Sequence, residues 1–419
     1  MTLSNSQQNA SSIARQMLNK VPEITIFFWI IKVLCTTVGE TASDFLNVNL
    51  NFGLTGTSIV MGICLAVALF FQFKAKKYTP FIYWLTVVLI SIFGTLVTDN
   101  LTDSMKVPLE TSTIIFSILL ALTFGVWYAK EKTLSIHSIF TRRREAFYWL
   151  AILFTFALGT ATGDLMAESL GLGYFTTGVI VCTAIAAFAV AWRLGLDSIL
   201  AFWIIYIMTR PLGASVGDYL SQPQKYGGLG LGATATSGIF VGAILLTVAF
   251  LAVTKWDSVR SAPIDEEVAP KPYRYSALWQ VAAVMVVLVG TSVAGYHWRH
   301  NALQAQTQSA SAITQVPGQK VLTDQTAPLS PLGDLSDFRT ITQDTLNLVL
   351  AGNLSGAKNR VADLEYEWDN SEARLKPMDP TEWATIDTAI DKVLRQLRAV
   401  HQDADGCKSA LEGLLKVVG

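Results

Sequence analysis

WIIKVLCTTVGETASD, residues 29–44, returns three times in altered form: WLTVVLISIFGTLVTD at 84–99, WLAILFTFALGTATGD at 149–164 and WIIYIMTRPLGASVGD at 203–218. The four strings align without a gap on Trp-x9-Gly-x4-Asp. The aligned columns hold Trp29, Trp84, Trp149 and Trp203; Gly39, Gly94, Gly159 and Gly213; and Asp44, Asp99, Asp164 and Asp218. Each string sits in an apolar run long enough for a membrane span, which takes about 20 residues to cross a hydrocarbon layer of ~30 Å. A second run follows each string. It begins with a hydroxyl pair: Thr57-Ser58, Thr111-Ser112, Thr176-Thr177 and Thr236-Ser237. The repeated unit is therefore a helix, a short turn and a returning helix, and all four units share one orientation.

Working outward, nine runs qualify as spans: 25–45, 54–73, 81–101, 110–129, 146–166, 174–194, 198–220, 234–254 and 277–297. The composition agrees, with 51% hydrophobic residues, 15% charged and a mean hydropathy of +0.41 over 419 residues. A net charge of -1 gives no reason to expect nucleic-acid binding. Met1 to Lys20 lacks the apolar core of a signal peptide, so the first run is read as a retained span. Cys35, Cys64 and Cys182 lie in apolar runs and read as small core residues, and Cys407 has no partner in its own domain.

Lys and Arg concentrate in alternate loops: Arg15 and Lys20; Lys74, Lys76 and Lys77; Lys130, Lys132 and Arg142–Arg144; Arg193; Lys255, Arg260, Lys271 and Arg274. The opposite side offers Lys106 and Lys225. The positive-inside rule then predicts a cytoplasmic N-terminus and an outside tail. The repeat tryptophans begin the odd spans and read as interfacial anchors, as do Trp279 and Trp298 around the ninth span.

The predicted fold is an all-α membrane protein. It has four parallel repeats of a transmembrane helical hairpin, a ninth transmembrane helix and a soluble helical tail. Its parts are a cytoplasmic N-terminal segment (1–24), an eight-helix membrane domain (25–255), a cytoplasmic loop (256–276), the ninth helix (277–298), a flexible linker (299–335) and an extracytoplasmic helical bundle (336–419). In the tail, Val361, Leu364 and Trp368 have helix spacing, as do Ile386, Ile390, Val393 and Leu397, with Thr381 as a start signal.

The repeated Gly-x4-Asp strings, GETASD at 39–44 above all, resemble the bacterial multi-pass membrane-anchored protein family built from a tandem repeat of unknown function. The resemblance covers roughly residues 25–255. It implies a fold and a location in the bacterial inner membrane, and no substrate.

From Trp to Asp is 15 residues, or ~22 Å of helix. Intramembrane carboxylates are costly unless paired or hydrated, and they face the bundle interior. Asp44, Asp99, Asp164 and Asp218 are thus candidate ion ligands. Glu40, Asp103 and Glu168 add charge one turn away, and Arg210 stands as a counter-ion, especially for Asp218. The competing reading makes the aspartates and hydroxyl pairs helix caps. Lys32 reads as a snorkelling residue near the inner end of span 1. The glycines read as close-contact positions, and Pro211 as a kink in span 7. Acids outnumber bases at the outer ends, which favours a small cation, a divalent metal and a proton-coupled solute both being within that class. The alternative is a non-transporting scaffold or sensor whose tail binds a protein partner. No cofactor motif, nucleophile motif or His-rich metal site points to an enzyme, and the expected partners are the lipid bilayer and the cation.

Overall fold

The computed structural model describes residues 19–46, 53–221, 229–257, 275–313, 330–376, 378–399 and 402–419. The chain divides into two compact units: Met1–Asn47 with Phe52–Leu165 and Tyr174–Val286, and Val48–Asn51 with Met166–Gly173 and Val287–Gly419.

The first unit contains four odd-numbered helices, α1 (Ile26–Asp44), α3 (Pro80–Asp99), α5 (Arg142–Asp164) and α7 (Ser198–Ser221). Their returning partners are α2 (Gly53–Lys74), α4 (Leu109–Glu131), α6 (Tyr174–Arg193) and α8 (Gly232–Thr254). With a span in α9 (Tyr275–Ile313), nine helices among the described residues are long and apolar enough to cross a membrane. Burial sorts them into layers. Of each odd span 56–61% is buried, against 11–28% of each even span and 0% of the ninth.

The odd helices form a closed parallel ring, α1–α3–α5–α7 and back to α1. The even helices clothe it. Each packs mainly on the odd helix of the following copy: α2 on α3, α4 on α5, α6 on α7, and α8 back on α1. The repeat in sequence is a hairpin, but the packed pair joins two successive copies. The outward faces of the even helices are apolar, with Ile59, Ile63, Phe70, Ile118, Leu122 and Leu246 exposed as a lipid-facing surface requires. Cys64 and Cys182 are exposed on this outer layer and Cys35 is buried, so two of the three span cysteines are not core residues.

The inner helices interlock through the repeat glycines, and each glycine is seated on the following copy. A Cβ on Gly94 would lie 2.7 Å from Phe156 Cβ, and one on Gly159 would lie 2.5 Å from Arg210 Cβ. A Cβ on Gly39 would overlap Ser91, and one on Gly213 would overlap Thr36, which closes the cycle. Without Cβ atoms the backbones approach closely enough to bury polar groups at the axis. Pro211 stays within a continuous α7 and rests against Gly159 and Gly163.

At the tryptophan end the N-terminal segment ties the loops together. Lys20 Nζ meets Glu145 at 2.7 Å, and Gln72 donates to the same carboxylate at 3.2 Å. Tyr78 donates to Asp257 at 2.5 Å, while the Glu23 N–H donates to the Asp257 carbonyl. Burial pushes the Asp257 carboxyl above the usual carboxylate range, and burial with the neighbouring Asp257 pushes Tyr78 above the usual phenol range.

In the second unit, α10 (Ser336–Leu350), α11 (Leu354–Leu375), α12 (Pro380–Arg398) and α13 (Ala404–Val417) make a four-helix bundle. Val361, Leu364, Trp368, Ile386, Ile390, Val393 and Leu397 are all buried in its core. Trp368 stacks on Trp383 at 3.8 Å and donates to Asp387. The start signal of α12 is Asp379 rather than Thr381: its carboxylate accepts from the Thr381 and Glu382 N–H groups, with Pro380 in the first turn. The expected linker at 299–335 is also shorter than its composition suggests. Helix α9 runs on to Ile313, and Leu332 and Leu335 belong to the bundle core; residues 314–329 lie outside the described residues.

Candidate functional site

The site is built on one inward stripe of the four odd helices. Counting from the repeat Trp, positions 0, 3, 7, 11 and 14 fall on one helical face. The axis is therefore filled by layers, each with one residue from each copy.

The first layer is aromatic. The ring before each Trp packs on the Trp of the next copy: Phe28 on Trp84 at 5.7 Å, Tyr83 on Trp149 at 5.5 Å, Tyr148 on Trp203 at 6.3 Å and Phe202 on Trp29 at 5.6 Å. The Tyr83 and Tyr148 hydroxyls share a hydrogen bond of 2.5 Å. This collar corrects the anchor reading. Trp84, Trp149 and Trp203 are buried, because they share the inward stripe with the core. Trp279 and Trp298 are exposed.

One turn further along the axis lies Lys32. It is 1% exposed and does not snorkel. Its Nζ sits 3.7 Å over the Phe156 ring and 4.3 Å over Tyr206, with no hydrogen-bond acceptor among the described residues. Ring faces supply part of the lost hydration of such a cation.

The next two layers meet at Arg210, which is fully buried. Its Nη1 donates to the Thr36 carbonyl at 3.0 Å. Its Nη2 donates to the Glu40 carboxylate, to the Thr95 hydroxyl and, at 2.9 Å, to the Thr160 hydroxyl. Glu40, Thr95 and Thr160 occupy the same column of copies one to three. Both threonines donate their own protons to the carbonyls one turn back, Ser91 and Phe156, which leaves lone pairs for the guanidinium. Removing one member of such a buried pair costs about 3–5 kcal/mol.

A family model with the description Repeat of Unknown Function (DUF347) matches the chain four times, at residues 27–78, 82–133, 147–194 and 201–256. The chain belongs to this repeat family. Each match covers one hairpin, so the DUF347 unit contributes one member to every layer of the axis. No curated protein and no solved structure matches the chain.

The remaining candidates of the DUF347 array separate. Asp99 and Asp164 close α3 and α5 and are half-buried, and Asp218 is buried inside α7. Asp44 closes α1, and its side chain lies outside the described residues. After Asp99 and Asp164 the helices widen into π turns, Asn100–Ser104 and Leu165–Ser169. Asp103 is exposed in the first of these and accepts from Thr102 at 2.9 Å, away from the axis. Glu168 is in the second, within the other compact unit.

Arg210 is not the counter-ion of Asp218. It stands eight residues earlier, ~12 Å along the helix, and its hydrogen bonds go to Thr36, Glu40, Thr95 and Thr160. Glu40 is thereby committed to Arg210. Among the described residues no three His, Cys, Asp or Glu side chains are placed to hold a metal ion. The hydroxyl pairs do not cap the even helices. They lie inside the first two turns, behind Pro108 in α4 and Leu231 in α8, neither of which makes a side-chain cap bond.

Proposed function

We propose that this protein is a multi-pass transporter or channel for a small cation. The observation that supports it best is the recurrence of one carboxylate per copy at one end of the membrane domain, with Asp99 and Asp164 half-buried and Asp218 buried among apolar helices. Ionisable groups at membrane depth are expensive and mark pathways by default. The repeated aspartates supply the negative charge that a cation would meet first. The proposed setting is a bacterial inner membrane with the N-terminus cytoplasmic and the tail outside, on the strength of the Lys and Arg distribution.

The glycine seats and the aromatic collar favour a second reading, a static scaffold, because they close the axis tightly. One experiment separates the two. Flux of Na+, K+, Mg2+, Ca2+, Mn2+ and protons is measured in proteoliposomes for the wild type and for Asp44→Asn, Asp99→Asn, Asp164→Asn and Asp218→Asn. Asn keeps size and hydrogen bonding but removes charge, so a structural role survives it. Transport predicts flux in the wild type and at least a tenfold loss in one or more folded variants. No flux of any of these ions in the wild type leaves the scaffold.

A further inference from the structure

The hydroxyls near the aspartate end are left without hydrogen bonds in a repeating pattern. Ser43, Thr57, Ser112, Thr177, Ser215 and Thr236 are all buried, and none of their oxygens has a partner among the described residues. Four of them form one column of the repeat: Thr57, Ser112 and Thr177 stand 28 residues after their Trp, and Thr236 stands 33 after, where the loop is longer. Many other helical hydroxyls in the same unit satisfy themselves, although Ser91 and Thr113 do not. Thr86, Thr98, Thr123, Thr162 and Thr247 each donate to the carbonyl one turn back. Even Ser58, next to Thr57, does so. An unmade hydrogen bond in a buried hydroxyl costs about 1–3 kcal/mol, and Val or Ala would avoid it. Here the cost is met four times at one position.

The neighbours of this column place it at the seams between successive copies. Ser58 accepts from Asn100 at 2.7 Å, immediately after Asp99. Ser237 donates to Thr41 at 2.7 Å, one turn before the Asp44 position. Gly178, beside Thr177, lies against Ser215, three residues ahead of Asp218. The unfilled oxygens therefore sit level with the motif acids. No three acids gather at one point among the described residues, so neutral oxygens must supply most of any coordination shell.

We propose that these seam hydroxyls are the neutral ligands of a hard cation, alkali or alkaline-earth, bound beside the motif carboxylates. Hydroxyl and carboxylate oxygens suit such ions, and no thiol or imidazole at these positions would select zinc or copper. The proposal rests on the cation reading above and names its ion class. The test is the shift in melting temperature of the purified full-length protein on adding NaCl, KCl, MgCl2, CaCl2 or ZnCl2, against N-methyl-D-glucamine chloride. Thr57→Val, Ser112→Ala, Thr177→Val and Thr236→Val are compared with the control Thr86→Val. The expected result is saturable stabilisation of the wild type by a hard cation. The seam variants should then melt higher without ions and need at least tenfold more cation for half-saturation, while Thr86→Val keeps the wild-type requirement. Where a Val variant fails to fold, Thr57→Ser or Thr177→Ser, which keep the oxygen, should bind as the wild type does; loss of binding there overturns the proposal. Equal cation requirement in wild type and seam variants overturns it and leaves the cation reading standing. A wild type stabilised by none of the salts overturns both, and one stabilised by ZnCl2 alone overturns the hard-ion assignment.

Discussion

At Gly94 the α3 backbone rests against Phe156 of α5, with no room for a Cβ. Gly94→Leu is therefore expected to destabilise by at least the 1–3 kcal/mol (about) of ordinary overpacking, seen as a lower melting temperature and less monodisperse protein in detergent. Gly125→Leu, where nothing lies within 4 Å, should be tolerated. Equal behaviour of the two variants would remove the interlock. The glycine column was readable as a set of contact positions; what each glycine touches was not. Thr95 and Thr160 share a column with Glu40, yet alignment alone does not say that Arg210 joins them. Parallel copies reveal depth along the membrane, and they leave the lateral order of helices open. For the same reason depth alone places Lys32 and the repeat tryptophans at the membrane surface. Their shared helical face with positions 7 and 11 was the signal that they turn inward.

Among elements, the informative fact is that an even helix leaves its own hairpin to cover the next copy. Ser237 of α8 and Thr41 of α1 touch across the seam that closes the ring. In a background without the four native cysteines, Ser237→Cys with Thr41→Cys should form a disulfide on mild oxidation, read as fragments that stay joined without reductant after cleavage at a protease site introduced between α4 and α5. Absence of the cross-link in folded protein would mean the ring is open at that seam. Span number, span limits and the hairpin repeat were legible because apolar length and the Trp-Gly-Asp spacing encode them directly. The end of α9 was not. Its Gln-, Ser- and Ala-rich continuation reads as a linker by polarity, although Ala and Gln are good helix formers.

For the whole molecule, nine candidate spans are an odd number, and if all cross, the loop after α2 and the C-terminal tail are expected on opposite sides of the membrane. Single cysteines replacing Lys76 and Lys416, both exposed, should therefore react with an impermeant maleimide from opposite sides in intact cells. On the orientation proposed from the Lys and Arg distribution, Lys416 is the one expected to react from outside. Labelling of both from one side would require an even number of spans. The closed ring also has a consequence for how the chain is made. Glu40 precedes Arg210 by 170 residues. At roughly 5–20 residues per second, the ribosome takes about 10–30 s to deliver the counter-charge. Throughout that interval the first span holds an unmatched acid and an unmatched lysine, with no fourth copy to cover them. A nascent chain stalled after three repeats is thus chemically distinct from a finished one, and a membrane protease or chaperone that senses exposed charge could tell them apart.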